Sequence, residues 1–234
     1  MTWALESSSG GGSCVTPDTL VTLADGSKKE IQHVTYEDQL LVWNFYKGEY
    51  AAVPSALIVN HGMDDYTIIE LMFEDGTKVR AVNAHAFFDA DENKFVLIDA
   101  ENAEEFIGHK FVKNEAGETK TVELVECKVY EDRTESYTLV SAGHYNFMTE
   151  GIFSLTNAFH QMQEGLVVGD DLKYDEEVLK ADIATYGVYT YEDYADYITE
   201  EQFMAFGGPY LKISVGKDYT TYEYTIGLIK EYLK

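Results

Sequence analysis

Two Asp-Gly pairs place the strongest constraint on what this chain can fold into. Asp25-Gly26 and Asp75-Gly76 each lie between apolar, β-prone segments, in "TLVTLADGSKKEIQHV" and "YTIIELMFEDGTKVRAV". An Asp-Gly pair in that setting is the strongest short-range signal for a β-hairpin, because glycine tolerates the positive φ that tight hairpin turns require. Further strands are predicted at "DQLLVWNF", "KFVLID", "TVELVECKVY" and "ESYTLVSA". The sequence therefore predicts a compact, mainly β domain.

The two hairpin segments also resemble each other. Aligning Gly26 with Gly76 places "TLADGSKK" over "MFEDGTKV". Such weak internal repetition is expected of a domain built from two related β-rich halves. Two unrelated Asp-Gly turns in one β domain would give the same pattern, so the sequence leaves both interpretations open.

Composition divides the chain into three parts. Residues 1–13 form a leader that ends in "SSSGGGS", which is too polar and flexible to fold, and residues 14–160 hold the predicted strands. Residues 170–234 form a small tail of short helices, with Thr190 and Thr199 as predicted N-caps. The many tyrosines of this tail favour a small aromatic core, although a sugar-binding surface would have a similar composition.

Length and charge argue against several classes of function. No stretch reaches the roughly 20 apolar residues that a membrane-spanning helix needs. The formal net charge of -25 repels phosphate backbones, so nucleic acid is not an expected partner. The sequence contains no phosphate-binding loop, zinc signature or paired-carboxylate hydrolase site, and we expect neither a cofactor nor a metal.

Cys14 stands where the flexible leader meets the first hairpin. Its thiol can attack the preceding carbonyl, that of Ser13, and convert the peptide bond into a thioester. The shift is unfavourable in an ordinary peptide, so a strained bond and a proton donor for the departing nitrogen are needed, and histidine is the natural donor at neutral pH. The junction predicts self-processing at Ser13–Cys14; an inert cysteine at a domain boundary is the alternative interpretation.

The segment "CVTPDTLVTLADG" resembles the opening of a Hint domain, the fold shared by inteins, hedgehog C-terminal regions and bacterial intein-like domains. "DGTKVRAVNAHAFFD" is similar to the second conserved block of that family and "ESYTLVSAGHYNFMTEGIFSLTN" to its last block, so the resemblance covers roughly residues 14–157. It implies a compact Hint-type all-β domain with pseudo-two-fold halves, which in this chain precedes the small α-helical tail.

The resemblance also implies roles for individual residues. Cys14 matches the nucleophile of the family and His85 its proton donor. Asn157 stands near the Asn that cyclises in inteins and frees the downstream chain, and His144 can substitute for an absent penultimate His as an acid or base. A hydrogen-bonded core residue is the alternative interpretation of His85, and a turn residue that of Asn157.

The chain departs from the family pattern at several positions. Val82 stands where the family has Thr, Thr138 where it has Asp, and Thr156 where it has the penultimate His. Splicing is not expected, because it needs Cys, Ser or Thr directly after the terminal Asn and this chain has Ala158 there. A thioester at Cys14 would instead be resolved by water, a thiol, an amine or an alcohol.

These observations lead to two hypotheses. In the first, a self-processing domain forms a thioester at Ser13–Cys14 and releases or transfers the upstream segment. Its partners are then the flanking segments of its own polypeptide and an external nucleophile. In the second, a degenerate Hint-like domain keeps the architecture and serves as a structural or binding module. The whole chain also looks like Hint-like modules of large surface proteins from gut anaerobes, which implies an extracellular or cell-surface bacterial host protein.

Overall fold

The computed structural model describes residues 14–141, 144–155 and 164–178, together with residues 162, 181, 192 and 200. Most of the described chain is β-strand. The strands, in chain order, are β1 (Cys14–Val15), β2 (Leu20–Thr22), β3 (Lys28–Glu30), β4 (Gln39–Asn44), β5 (Glu49–Phe73), β6 (Lys78–Val82), β7 (Ala84–Asp89), β8 (Lys94–Asp99), β9 (Lys110–Glu115), β10 (Glu118–Ser141), β11 (Asn146–Thr149), β12 (Ile152–Leu155), β13 (Val167–Val168) and β14 (Lys173–Tyr174). Short 3-10 turns at Ile31–His33 and Ala103–Phe106 interrupt them.

Both predicted Asp-Gly hairpins form. Asp25-Gly26 joins β2 to β3, and Asp75-Gly76 joins β5 to β6. Gly26 and Gly76 each have a φ of 84°, a left-handed conformation that glycine adopts at little cost. In each turn the aspartate Oδ1 accepts a hydrogen bond of 2.9 Å from the backbone N–H two residues further on. The two turns therefore share one geometry, as the interpretation of two related halves expects.

Twelve of the described strands form one sheet, and β13 and β14 form a second, two-stranded one. The order of the larger sheet is β3-β2-β11-β12-β7-β9-β10-β1-β6-β5-β4, with β8 paired to β7. The longest strands, β5 and β10, pair antiparallel from Phe73 opposite Leu124 to Ser55 opposite Ser141. Because β5 also pairs with β6, and β1 lies between β6 and β10, these four strands close on themselves. The two-residue strand β1 is thereby held on both sides.

The apolar core continues past the predicted domain boundary at residue 160. Strands β13 and β14 form a small hairpin whose Tyr174 ring stacks on Phe45, with 5.2 Å between ring centroids. The Trp43 indole N–H donates a hydrogen bond of 2.8 Å to the Leu172 carbonyl. The packed β domain thus extends at least to Tyr174.

Little of the predicted helical tail lies within the described residues. Asp175 Oδ1 accepts hydrogen bonds of 2.9 Å from the backbone N–H groups of Glu177 and Val178, which is the geometry of a helix N-cap. The predicted caps Thr190 and Thr199 lie outside the described residues. Among the described helical segments, none combines the length and the apolar character needed to cross a membrane.

Candidate active site

Cys14 is the first residue of β1 and is held by backbone pairing on both of its sides. Its cross-strand partners are Val82 on β6 and Thr138 on β10. The following residue, Val15, is fully buried and anchors the short strand in the core. Cys14 itself is half-buried, and Ser13, the other half of the predicted scissile bond, lies outside the described residues.

The Cys14 thiol belongs to a chain of three hydrogen-bonded side chains. Its Sγ lies 3.1 Å from Thr138 Oγ1, and the same Oγ1 lies 2.9 Å from Nε2 of His61 on β5. Thr138 is 4% exposed, so its hydroxyl is shielded from bulk water. His61 is half-buried, and burial lowers its pKa, which keeps the imidazole neutral at pH 7.

His61 was not singled out by the sequence analysis. Nothing in the surrounding "LIVNHGMDDY" resembles a motif, and Thr138 is 77 residues away in the chain. Only the pairing of β5 with β10 brings the two side chains together. The residues around His61 in the sequence therefore do not predict its contact with Thr138.

His85 lies on β7 in a completely different environment. Its side chain is fully buried, with ring centroids 4.8 Å from Phe87 and 6.4 Å from Phe147. Neither ring nitrogen has a hydrogen-bond partner within the described part of the chain. Burial lowers the pKa of His85 to about 3, so the ring is neutral at pH 7. The alternative of a hydrogen-bonded core histidine is therefore not what the described residues show.

The fold brings the strands of Cys14 and His85 close together. Val82, the cross-strand partner of Cys14, precedes His85 by three residues. Between them Asn83, at a φ of 62°, ends β6 and lets the chain change direction into β7. Cα atoms of β1 and β7 come within 8 Å of one another.

The remaining predicted residues lie elsewhere. His144 follows β10 in a turn, where burial and the charge of Lys47 lower its pKa. Its carbonyl accepts a hydrogen bond from Asn146, whose buried amide also bonds the backbone of Trp43 and so fixes β11 against β4. Asn157 lies outside the described residues.

The two cysteines differ in setting. No disulfide joins Cys14 to Cys127, so both are thiols. Cys127 lies just after a bulge in β10 and packs partly buried against the core. Burial, followed by the charges of Glu104 and Glu126, raises its pKa. The Cys127 thiol therefore ionises less readily than an ordinary thiol.

Among the described residues, one group of side chains could hold a metal ion, and it lies apart from Cys14 in the sequence. Ligand atoms of Asp89, Asp91 and His109 lie within 4.8 Å of one another. Asp89 is fully buried; its Oδ1 accepts hydrogen bonds from the backbone N–H groups of Asp91 and Glu92, and its Oδ2 contacts His109 Nδ1 at 2.7 Å. The cluster is thus satisfied by its own hydrogen bonds.

Comparison with known proteins identifies the fold. No protein-family model matches the sequence, and no curated protein is a recognisable relative. Solved structures do match: the PabCDC21-1 intein aligns with a TM-score of 0.53 at 18% identity, over 62% of this chain and 99% of the intein. The chain has a Hint fold.

Two further structures agree. A DnaB intein from Synechocystis sp. PCC 6803 aligns with a TM-score of 0.52 at 15% identity, over 61% of this chain and 97% of that one. A bacterial intein-like domain from Clostridium thermocellum aligns with a TM-score of 0.52 at 13% identity, over 62% of this chain and all of that domain. The predicted mainly β Hint-type domain is therefore confirmed, and these identities speak for the fold alone.

Proposed function

We propose that this Hint domain cleaves its own chain at Ser13–Cys14 through a thioester and does not splice. One observation carries the proposal: the half-buried thiol of Cys14 begins β1, beside the strand that holds the fully buried imidazole of His85, whose nitrogens have no hydrogen-bond partner among the described residues. A buried polar group without a partner costs about 1–3 kcal/mol. A side chain that only filled the core would not need two buried polar nitrogens at that cost.

The chemistry is an acyl shift followed by acyl transfer. Cys14 Sγ attacks the Ser13 carbonyl carbon, a C–S bond forms, and the C–N bond to Cys14 breaks. The thiol loses its proton, and the departing nitrogen gains one and becomes an amino group. Water, a thiol, an amine or an alcohol then takes the acyl group, and Sγ regains a proton. Residues 1–13 leave with the acyl group.

His85 fits the delivery of the proton to the departing nitrogen. A proton that reaches this ring is weakly held, because burial lowers the pKa to about 3, and it passes readily to a developing amine. The same burial makes the charged ring costly to form at neutral pH. We therefore expect slow, single-turnover cleavage.

A second candidate function, a structural or binding module without chemistry, is favoured by Val82. This residue is the cross-strand partner of Cys14 and is 1% exposed. Its aliphatic side chain offers no hydrogen bond where the resemblance implies a threonine. The extracellular bacterial host protein expected from the sequence fits both candidates and stays a prediction.

Intact-mass measurement separates the two candidates. The purified chain is incubated with and without hydroxylamine, beside Cys14→Ala, His85→Gln and, as a matched control, Cys127→Ala. We expect the parent chain and Cys127→Ala to lose residues 1–13, faster with hydroxylamine. Cys14→Ala keeps its mass, and His85→Gln reacts about 100-fold more slowly, as for the loss of a general acid. An unchanged mass in every sample would leave the structural module.

A further inference from the structure

The direction of the hydrogen-bonded chain at Cys14 depends on the tautomer of His61. A threonine hydroxyl has one proton to donate and two lone pairs that accept. Its oxygen lies 3.1 Å from a thiol sulfur and 2.9 Å from an imidazole nitrogen. In the tautomer of neutral His61 that carries its proton on Nδ1, the thiol S–H of Cys14 donates to Thr138 Oγ1, and the Thr138 O–H donates to Nε2 of His61. In the other tautomer Nε2–H donates to Thr138 Oγ1 and the chain runs the opposite way, so the Nδ1–H tautomer is the one in which His61 can accept a proton through Thr138.

The strand register explains why these side chains share one face. Cys14 and Val59 are both cross-strand partners of Thr138, on β1 and β5. His61 lies two residues after Val59, and residues two apart on a strand point to the same side of the sheet. The pairing of β5 with β10 shifts register between Glu135 and Tyr137, next to Thr138 in the chain.

Two ionisable side chains of β10 close to Thr138 in the sequence, Tyr137 and Glu135, bond to each other. On β10 the Tyr137 hydroxyl donates to a Glu135 carboxylate oxygen at 3.0 Å and accepts a hydrogen bond of 2.8 Å from the Asn60 amide of β5. On β1 the only ionisable side chain is Cys14. Burial is the cause of the lowered pKa of His61. Within the described part of the chain, the Thr138 hydroxyl is thus the hydrogen-bonded route from the thiol to an imidazole.

We propose that His61 is the base that activates Cys14, accepting the thiol proton through the hydroxyl of Thr138. The Sγ proton passes to Thr138 Oγ1 while the Oγ1 proton passes to His61 Nε2. The products are a Cys14 thiolate and a His61 imidazolium, and Thr138 ends unchanged. A threonine hydroxyl holds an extra proton far too weakly to be its destination, so the imidazole behind it is needed. This inference rests on the proposed cleavage and assigns its first proton transfer.

The test measures thiol reactivity separately from cleavage. In a Cys127→Ala background, so that Cys14 is the single thiol, alkylation of Cys14 by iodoacetamide is followed by intact mass between pH 5 and 10. The variants are His61→Gln, which keeps a hydrogen-bonding side chain that cannot take the proton, Thr138→Val, which removes the hydroxyl, and Thr138→Ser, which keeps it.

We expect the parent and Thr138→Ser to react well below the ordinary thiol pKa of about 8.5. His61→Gln and Thr138→Val should react at least tenfold more slowly at pH 7, with a profile moved towards that ordinary value. Unchanged profiles in His61→Gln would overturn the proposal, whatever Thr138→Val does.

Cleavage is then measured in the same variants. If no variant releases residues 1–13 while alkylation still depends on His61, the proposed cleavage fails and the proton path stands. If the parent releases the leader and His61→Gln matches it in both release and alkylation, the cleavage stands and His61 has no part in it.

Discussion

His61 and His85, the two histidines to which we assign proton transfers at Cys14, occupy opposite environments. His85 is enclosed by Phe87 and Phe147 with neither nitrogen bonded among the described residues, whereas His61 is half-buried and bonded to Thr138. An imidazole in an apolar site resists gaining a proton and gives one up readily, while one in a hydrogen-bonded, partly solvated site accepts a proton at much lower cost. The contrast favours a division of labour, with the proton leaving the thiol on the polar side and reaching the nitrogen on the apolar side.

The largest expected effect of the difference between His61 and His85 is on the free energy of unfolding at acid pH. The pKa of His85 is about 3 in the folded chain and 6.5 as the ordinary value, so below pH 6.5 the unfolded chain binds a proton that the folded chain refuses. The free energy of unfolding therefore falls as the pH drops from 6.5 to 3, by about 1.4 kcal/mol per unit and roughly 5 kcal/mol in total. Below pH 3 this contribution to the slope ends.

Urea unfolding at several pH values from 7 to 3.5 measures the effect. His85→Gln removes this contribution, so the gap between parent and variant must change steeply with pH. His61→Gln serves as the comparison, because His61 is only half-buried and its removal should flatten the profile much less. Parallel profiles for the parent and His85→Gln would mean that the His85 ring is hydrated or charged in the fold.

A cavity beside His85 should make its environment more like that of His61, because water would reach the buried ring. Phe147 is fully buried with its ring perpendicular to that of His85, so Phe147→Ala should lower the free energy of unfolding by about 3 kcal/mol and admit water to the imidazole. Phe111→Ala is the matched control, since Phe111 is equally buried but packs on Phe73 and Phe106 in another cluster. NMR titration should show a raised His85 pKa in Phe147→Ala alone; a shift in both variants would indicate general loosening.

Features set by neighbouring residues were predictable from the sequence. Both hairpins follow from an Asp-Gly pair, and "KFVLID" coincides with β8, because turn chemistry and alternation are local properties. Long-range register was not predictable. "TVELVECKVY" and "ESYTLVSA" are predicted as separate strands, yet the first segment and residues 135–141 of the second lie in the continuous strand β10. No local break marks the join, so only pairing with the equally long β5 decides it.

The candidate site divides in the same way. Cys14 and His85 could be found because each lies in a segment that resembles a family block, although their roles stay predictions. His61 could not be found, since its significance depends on which residue of β10 faces it across the sheet. Thr138 was noted only as a departure from the family pattern. In the structure its hydroxyl oxygen lies within hydrogen-bond distance of both Cys14 Sγ and His61 Nε2.

We expect the smallest change in the free energy of unfolding from Thr138→Val. The size of this change tests whether the Thr138 hydroxyl acts on the Cys14 thiol or holds the strands together. Valine keeps the shape and β-branching of threonine. The thiol of Cys14 is a weak donor, and the half-buried His61 can bond to water instead, so no strong polar group is stranded in the core. We expect the free energy of unfolding in urea to change by about 1 kcal/mol or less.

Thr149→Val is the control: its hydroxyl is fully buried against that of Ser154, so the same exchange should cost more, about 1–3 kcal/mol. If Thr138→Val costs as much as Thr149→Val, then the Thr138 hydroxyl holds β5 and β10 together, and the loss of thiol reactivity in that variant would report on packing. If Thr138→Val costs little stability and Cys14 still loses its reactivity at pH 7, then the Thr138 hydroxyl acts on the thiol. The His61 side and the His85 side of Cys14 would then be chemically distinct.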